Sequence, residues 1–137
     1  MQFPKQRLMI VDDEEELAKA LERVLVLEVY DTVSVTCPIK ALEMIKQKKI
    51  HIVLTDIVMP GMDGIELLAA IRSFDPLVQV IMMTGYSTMD KTVQCLEHGA
   101  IDYLIKPFSS FDEVIEAVKL AEGKLNRWQI SMRRNFG

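Results

Sequence analysis

Residues 51–64 read HIVLTDIVMPGMDG, and this stretch decides the fold. An apolar run of strand length ends at Asp56, and a turn with Pro60 and two glycines follows. The pattern places Asp56 at the carboxyl end of a buried strand, which in an open parallel α/β sheet is the edge where ligands bind. Two interpretations are open from this segment alone: Asp56 caps the next helix, although Asp63 and Gly64 lie closer to its start, or Asp56 is a reactive or metal-binding group.

Strands and helices are predicted to alternate on both sides of this stretch. The predicted strands are residues 7–11, 32–36, 52–56, 78–84 and 102–107. Apolar residues at helical spacing follow each strand; Pro38 suits a first helical position, Pro76 ends a helix, and Gly99 suits a left-handed helix stop. Because parallel strands need a crossover helix, five alternations predict an α/β domain with a parallel sheet and helices on both faces.

Composition narrows the class of protein. The chain has 137 residues, half of them hydrophobic, which suits one globular domain. A net charge of -4 gives no electrostatic footprint for nucleic acid, so no direct nucleic-acid partner is expected. Cys37 and Cys95 lack a metal-type spacing, which favours reduced thiols. No apolar run reaches the ~18 residues that span a bilayer, so we expect no membrane contact and a cytoplasmic location.

Polar side chains follow four of the five predicted strands. They are Asp12 and Asp13 after the first strand, Asp56 at the end of the third, Thr84 at the end of the fourth and Lys106 at the end of the fifth. Parallel strands present their carboxyl ends at one edge of a sheet, so these side chains are predicted to converge on one crevice. The alternative for the acidic run after residue 11 is helix capping and interaction with the helix dipole.

Three carboxylates in one crevice repel each other, since a like-charge pair at ~4 Å costs on the order of 4 kcal/mol at an effective dielectric of 20. A divalent cation removes this repulsion, and an oxygen-only ligand set favours Mg²⁺, or Mn²⁺. Thr84 and Lys106 would add a hydroxyl and a cation, the groups that neutralise a phosphoryl group during transfer. A carboxylate in line with that group can act as nucleophile and form an aspartyl phosphate.

The chain resembles the receiver domain of two-component response regulators. The residues that carry the likeness are Asp12-Asp13, Asp56 with the turn 59–64, Thr84-Gly85, and the stretch 99–108, which reads GAIDYLIKPF. The resemblance implies a flavodoxin-like, doubly wound five-stranded sheet in the order 2-1-3-4-5 with five helices. It also implies a phosphoacceptor that assists only its own phosphorylation and dephosphorylation, and is otherwise not an enzyme.

The resemblance assigns a role to each site residue. Asp56 would accept a phosphoryl group from a histidine kinase or phosphotransfer protein. Magnesium would be bound by Asp13, Asp56 and the Val58 carbonyl, with Asp12 assisting through water, while Thr84 and Lys106 would contact the phosphoryl oxygens. The Lys106-Pro107 bond is cis in the family, and such a bond costs only ~0.5–1 kcal/mol before proline.

Tyr103 has two interpretations, a half-buried strand aromatic or a rotamer switch that follows Thr84. In the family interpretation, the face formed by the fourth helix, fifth strand and fifth helix is the output surface. Two residues depart from relatives that carry polar groups near the attacking water: Val58 is apolar and Tyr86 is bulky. We therefore expect slow loss of phosphate.

The last helix extends past the expected end of the receiver body. Its apolar residues recur at steps of three and four through Trp128 and Met132. The predicted organisation is an N-terminal tail at 1–6, a receiver domain at 7–122 and a helical extension or linker at 123–137. The extension either pairs with a second copy as a homodimer or is a frayed tail, since Gly123 weakens a helix by ~1 kcal/mol. The chain is either a stand-alone receiver or a module of a longer regulator with an output domain.

Three other classes of protein remain as alternatives. An aspartate-nucleophile phosphatase of the haloacid-dehalogenase type needs a second aspartate two residues after the first, where this chain has Val58. A flavin-binding flavodoxin needs a phosphate-binding loop after the first strand, where residues 12–16 are all acidic. A degenerate receiver would lack some of the site residues, and here all five are present.

Overall fold

The computed structural model of the chain describes residues 6–85 and 88–136, with side chains up to Arg133. Five strands alternate with five helices. The strands are β1 (Arg7–Val11), β2 (Asp31–Val35), β3 (Ile52–Asp56), β4 (Gln79–Thr84) and β5 (Asp102–Ile105). The helices are α1 (Glu15–Leu27), α2 (Pro38–Gln47), α3 (Gly64–Phe74), α4 (Met89–Glu97) and α5 (Asp112–Phe136).

The strands form one parallel sheet in the order β2-β1-β3-β4-β5, which confirms the predicted fold class. β1 lies between β2 and β3, and β3 pairs with β4 from Ile52 to Asp56. The carboxyl ends of β1, β3 and β4 therefore meet at one edge, and β5 continues the sheet beside β4. All five residues of β3 are buried, as expected for the central strand of a sheet covered on both faces.

The two faces of the sheet carry separate apolar cores. Neighbouring residues of β3 illustrate the alternation: Val53 packs in the core with α2 and α3, and Leu54 packs in the core with α1 and α5. Such alternation requires apolar residues on both faces, which is why the inner strands β1, β3 and β4 read as nearly continuous apolar runs. The two cores hold the carboxyl edge in place from both sides.

Two helix starts follow the sequence closely. Asp63 caps α3 by accepting a hydrogen bond from the Glu66 N–H, and the Glu66 carboxylate accepts from the Asp63 N–H, so the two form a capping box. Thr88 caps α4 through its side chain. Ser87, a residue type that can also cap a helix, lies outside the described residues. Because Asp63 caps α3, Asp56 is not used for that purpose.

The fourth helix is attached differently from what its sequence suggests. Val93 and Leu96 are apolar residues at helical spacing after the fourth strand, which predicts that they face the core, but both side chains are exposed, together with Met89. Cys95 is the buried residue of α4. Gly99 ends the helix with a φ of +91°, as predicted.

Two further predictions concern the cysteines and membrane spans. Cys37 and Cys95 are both free thiols. Among the described residues, no helix combines the length and the apolar character that crossing a bilayer requires.

The last helix is continuous across the predicted boundary between residues 122 and 123. Leu125 is buried in the core beneath α1 and α5, and Trp128 packs against the same core. Asn126 accepts a hydrogen bond from the Gln6 side chain at 3.4 Å. The first turns beyond the predicted boundary are thus in contact with the amino edge of the sheet, and the boundary itself stays a prediction.

The end of α1 places a branched residue in a glycine conformation. The Val29 N–H donates to the Val26 carbonyl and the Tyr30 N–H donates to the Leu25 carbonyl, which is the Schellman pattern of helix termination. The residue after the cap in this motif has a left-handed backbone, and Val29 has a φ of +67°. A β-branched side chain is strained there, since the left-handed region costs roughly 1–2 kcal/mol for non-glycine residues.

We expect Val29→Gly to raise the free energy of unfolding by about 1 kcal/mol. The side chain is 71% exposed, so the substitution removes strain and little packing. Urea unfolding, with an unchanged slope and a higher midpoint, measures the effect. Val26→Gly is the matched control, because the same replacement inside α1 should lower stability by a few tenths of a kcal/mol. A midpoint for Val29→Gly at or below the wild-type value contradicts the prediction.

Candidate functional site

The carboxyl edge of the sheet brings three carboxylates together. Asp12 follows β1 and is fully buried, Asp13 beside it is exposed, and Asp56 ends β3 with 6% of its surface exposed. One ligand oxygen from each of the three lies within 4.8 Å of the other two. Sequence reasoning predicted this convergence from strand ends alone, and the geometry agrees with it.

Lys106 supplies the positive charge of the cluster. Its Nζ lies 2.6 Å from Asp12 Oδ2 and 3.6 Å from Asp56 Oδ2, and 11% of its side chain is exposed. Burial lowers the pKa of the amine, but the hydrogen bond to Asp12 and the negative charges of both aspartates outweigh it and raise the pKa above its usual range. The lysine is therefore a fixed cation pointing into the acidic crevice.

Asp56 is held in an environment that disfavours its charge. Burial raises its pKa to about 6; Lys106 lowers it, and the neighbouring charge of Asp12 raises it. The Ile57 N–H donates to Asp56 Oδ1 at 2.9 Å, which favours the ionised form and orients the carboxylate. Oδ2 is left facing Lys106. A desolvated, oriented carboxylate beside a cation has the properties of a reactive oxygen.

In metal-free buffer, we expect Asp56→Asn to stabilise the fold at pH 7.5 by on the order of 2 kcal/mol. The folded pKa of about 6 lies above the unfolded value of 3.8, so the folded state binds more protons between these values. Ionisation of Asp56 should therefore cost the wild type progressively more stability as the pH rises from about 4 to about 6, and the advantage of Asp56→Asn should vanish near pH 4.

Urea unfolding in EDTA across this pH range measures the difference. Asp90→Asn is the control, because it removes the same charge from an exposed position in the first turn of α4 and should not raise stability. Equal stability of wild type and Asp56→Asn at pH 7.5 contradicts the expectation.

The remaining predicted site residues line the same edge. Thr84 is fully buried at the end of β4, and its carbonyl accepts the Lys106 N–H at 2.9 Å. Val58 is 48% exposed and lines a cleft of 670 Å³ at the mouth of the crevice. The other residues that line this cleft are Asp13, Glu14, Leu17, Asp56, Gly85, Lys106, Pro107, Phe108 and Phe111. Tyr86 lies outside the described residues.

Gly64 supports the turn that follows Asp56. A Cβ atom at this position would lie 2.0 Å from the Asp56 carbonyl oxygen and 2.8 Å from the Ile57 Cα. The Gly64 N–H donates to the Ile57 carbonyl at 2.7 Å, so the start of α3 is bonded directly to the backbone after β3. Only a residue without a side chain permits this approach.

Tyr103 lies within β5, and Pro107 follows Lys106 just beyond the end of that strand. The Tyr103 ring is half-buried against the core of α2 and α3, and its hydroxyl oxygen is buried without a hydrogen-bond partner among the described residues. The Lys106-Pro107 peptide bond is cis, as the resemblance implied. The half-buried strand aromatic is the placement found, and the switch role of Tyr103 stays a prediction.

Sequence reasoning assigned Glu14 to the acidic helix start and missed its place in the site. Its Oε1 lies 3.8 Å from Lys106 Nζ. Glutamate is not among the residues that favour a helix cap, and the Glu14 side chain makes no capping hydrogen bond. That unusual residue type at the cap was the available signal. The apolar wall of the cleft, including Phe108 and Phe111, was also not predicted.

The donor set fits a hard divalent cation. The three clustered aspartates supply carboxylate oxygens, the ligands that Mg²⁺ prefers, and at least one of them is open to water. One lysine does not balance three carboxylates, so a bound cation would also relieve their repulsion. The arrangement can thus hold a metal next to a nucleophilic oxygen.

The sequence model of the "Response regulator receiver domain" family matches residues 8–119. The chain belongs to this family. Receiver domains are signalling modules of two-component systems, with phosphorylation on an aspartate and use of Mg²⁺ as general features. The family thereby accounts for an acidic pocket with a lysine at the carboxyl edge of the sheet.

Curated and solved relatives agree with this assignment. Sporulation initiation phosphotransferase F of Bacillus subtilis is 35% identical over 114 residues, which cover 83% of this chain and 91% of that protein. Response regulator protein FleR of Pseudomonas aeruginosa is 36% identical over 104 residues, 76% of this chain but 22% of FleR. The chain thus spans about a quarter or less of the longer regulators it matches.

A solved response regulator is similar to this chain in both sequence and fold. Response regulator protein TrrA of Thermotoga maritima, in complex with Mg²⁺ and a beryllium fluoride, is 30% identical with a TM-score of 0.77. The match covers 85% of this chain and 98% of TrrA. The receiver fold therefore extends over most of the present chain.

Proposed function

We propose that this receiver domain accepts a phosphoryl group on Asp56 from a histidine kinase or phosphotransfer protein. The observation that carries the proposal is the position of Lys106 Nζ, 2.6 Å from Asp12 and 3.6 Å from Asp56 in a crevice that also holds Asp13. A lysine in a purely structural ion pair would be satisfied by Asp12 and Asp56, and the exposed carboxylate of Asp13 would have no role in that pair. A phosphoryl-transfer site needs all of these groups.

In the proposed reaction, Asp56 Oδ2 attacks the phosphorus atom while the bond from phosphorus to the donor nitrogen breaks. Desolvation raises the free energy of the Asp56 charge, and the hydrogen bond from the Ile57 N–H to Oδ1 keeps the other oxygen oriented toward the incoming group. Lys106 and Thr84 would contact the phosphoryl oxygens, which gain charge during transfer.

The metal proposed for the site is Mg²⁺, with Mn²⁺ as a substitute. Asp13, Asp56 and the Val58 carbonyl would bind it, and Asp12 would assist through water. When bound, the cation supplies charge neutralisation to the phosphoryl oxygens. The TrrA structure with Mg²⁺ supports the proposal, because that receiver is a relative at 30% identity. The protein holds the three carboxylates close together at the carboxyl edge of the sheet, where they would bind the cation.

The proposed output surface is the face formed by α4, β5 and α5. Met89 and Leu96 on α4 and Ile105 on β5 expose large apolar side chains that do not pack in the core. Exposed apolar side chains of this kind are typical of a surface that binds another protein. Tyr103 lies in β5 and packs against the core of α2 and α3, and its buried hydroxyl has no hydrogen-bond partner among the described residues, so a rotation of the ring would break no hydrogen bond found there. Movement of Thr84 toward a phosphoryl group would shift Tyr103, and the face would then bind a downstream protein or output domain.

Incubation with Mg²⁺ and acetyl phosphate tests the proposal. The wild-type chain should gain the mass of one phosphoryl group, and peptide mapping should place it on Asp56. Asp56→Asn should gain none, while Asp63→Asn, which removes a carboxylate from the α3 cap, should remain competent. A label on another residue, or one retained by Asp56→Asn, overturns the proposed function.

We expect the phosphoryl group on Asp56 to be lost slowly, because Val58 cannot orient an attacking water. Its exposed apolar side chain lies in the cleft beside Asp56. Val58→Asn should shorten the half-life by roughly 3- to 10-fold, measured as decay of the phosphorylated mass after removal of the donor. Val93→Asn, on exposed α4, is the control. A half-life that lengthens in Val58→Asn contradicts the prediction.

The partners proposed beyond the phosphodonor are an output domain and a second copy of the chain. Regulators such as FleR match this chain along only part of their length. This supports the alternative that the chain is one module of a longer regulator and not a stand-alone receiver.

The homodimer is proposed on the apolar residues Ile130 and Met132 of α5, which are partly exposed and would pair with a second copy of the helix. Sedimentation of Met132→Glu against wild type tests the homodimer. The free thiols suit a cytoplasmic location.

A further inference from the structure

Glu14 occupies the cap position of α1 without capping the helix. Residues at this position usually accept a hydrogen bond from the first helical turn through a short side chain, and Glu14 does not. Its backbone N–H donates to Asp12 Oδ1 at 2.9 Å, an interaction that is independent of the Glu14 side chain. The carboxylate of Glu14 is therefore not used as a hydrogen-bonding cap of α1.

That carboxylate is instead turned toward the crevice. Glu14 Oε1 lies 3.8 Å from Lys106 Nζ, and the side chain is 66% exposed at the mouth of the cleft, which also contains Asp13 and Asp56. Lys106 is already hydrogen-bonded to Asp12. Glu14 thus adds a fourth negative charge that the single lysine cannot balance, in the same cleft that Asp56 lines.

We infer that Glu14 is a specificity-determining residue for the phosphodonor: it disfavours donors whose leaving group is an anion. The inference rests on the proposed function of Asp56. A phosphoryl group bound to nitrogen, as in phosphohistidine whose other ring nitrogen is protonated, brings a neutral leaving group, whereas an acyl phosphate brings a carboxylate past Glu14. The selected class of donor is therefore the nitrogen-linked phosphoryl group.

The two donor classes differ in what leaves. With acetyl phosphate, the bond from Asp56 Oδ2 to phosphorus forms, the bond from phosphorus to the acyl oxygen breaks, and acetate departs with the electron pair as an anion. With phosphoramidate, the bond from phosphorus to nitrogen breaks, and ammonia departs neutral because its nitrogen already carries the proton. The charge of Glu14 opposes the first departure and not the second.

The size of the effect follows from exposure. A largely exposed charge interacts weakly through water and is screened by salt, so Glu14→Gln should raise the rate of phosphorylation by acetyl phosphate by roughly 3- to 5-fold. The rate with phosphoramidate should change less, since that donor is less negatively charged. The ratio of the two rates is the quantity that identifies the role of Glu14.

The experiment measures initial rates of mass gain at saturating Mg²⁺ with acetyl phosphate and with phosphoramidate. Wild type is compared with Glu14→Gln, with Glu14→Asp and with Glu16→Gln, which removes the same charge from the exposed first turn of α1. We expect the ratio of the rate with acetyl phosphate to the rate with phosphoramidate to rise in Glu14→Gln but not in Glu14→Asp or Glu16→Gln. In 1 M salt the difference should shrink, because the screening length falls from ~10 Å at 0.1 M to ~3 Å.

Three outcomes overturn the inference: an unchanged ratio in Glu14→Gln, an equal rise in Glu16→Gln, or a rise that persists in 1 M salt. The two failures are separable. If wild type gains no phosphoryl group on Asp56 from either donor, the proposed function fails, and the inference fails with it. If wild type is labelled on Asp56 and the ratio does not respond to Glu14, the inference alone fails.

Discussion

Gly64→Ala is expected to lose roughly 3 kcal/mol of stability and at least about 90% of its rate of phosphorylation by acetyl phosphate. The new methyl group would stand 2.0 Å from the Asp56 carbonyl oxygen and 2.8 Å from the Ile57 Cα. These are backbone atoms in a buried strand end, and they cannot rotate away as a flexible side chain could. The turn must move, and the Asp56 carboxylate must move with it.

Urea unfolding and the initial rate of mass gain measure the two effects. Gly123→Ala is the matched control: nothing lies within 4 Å of its added Cβ, and it sits inside α5. The same replacement there should stabilise the chain by ~0.5–1 kcal/mol and leave the rate unchanged. A Gly64→Ala variant with wild-type stability and a wild-type rate of phosphorylation contradicts the prediction, because the turn after Asp56 would then accommodate the added methyl group.

Truncation after Glu122 is expected to lower the free energy of unfolding by about 4 kcal/mol. It removes Leu125, which is 5% exposed in the core between α1 and α5, and Trp128, which packs against that core. It also removes the hydrogen bond between Asn126 and Gln6. Exposing a core that was covered by two large apolar side chains costs more than the entropy regained by a shorter chain.

Truncation after Met132 is the control and should cost less than 1 kcal/mol, roughly, because the residues named above are retained. Thermal or urea unfolding of both truncated chains separates two descriptions of the C-terminal segment. A large loss in the first truncation alone indicates that the folded body extends to about Trp128. Wild-type stability of the chain ending at Glu122 instead supports the predicted boundary and a dispensable extension.

The fold was predictable because its signals are local and repeated. The inner strands β1, β3 and β4 are short apolar runs, and several helix starts and stops carry a residue with a definite conformational preference, such as Pro38, Asp63 or Gly99. Parallel connectivity then forces the strand ends to one edge. The convergence of Asp12, Asp56 and Lys106 follows from that rule and needs no knowledge of side-chain packing.

What sequence could not supply depends on contacts between distant elements. The direction of the Glu14 carboxylate is set by Lys106, which lies 92 positions later along the chain and reaches Glu14 across the crevice. Burial of Cys95 in place of Leu96 depends on how α4 lies against α3. Burial of Leu125 depends on its packing against residues of α1 and the sheet that are distant in sequence. Hydrophobic periodicity predicts that a helix has an apolar face, but it does not predict which residues of other elements that face contacts.

The shallow attachment of α4 has a consequence for its motion. Cys95 is the buried residue in a helix whose other apolar side chains face water, so separating α4 from the body uncovers little apolar surface. Its amide protons should exchange with solvent sooner than those of α3, which buries five residues. A modest rearrangement at the end of β4 can then redirect this helix at low energetic cost, while the rest of the domain keeps its shape.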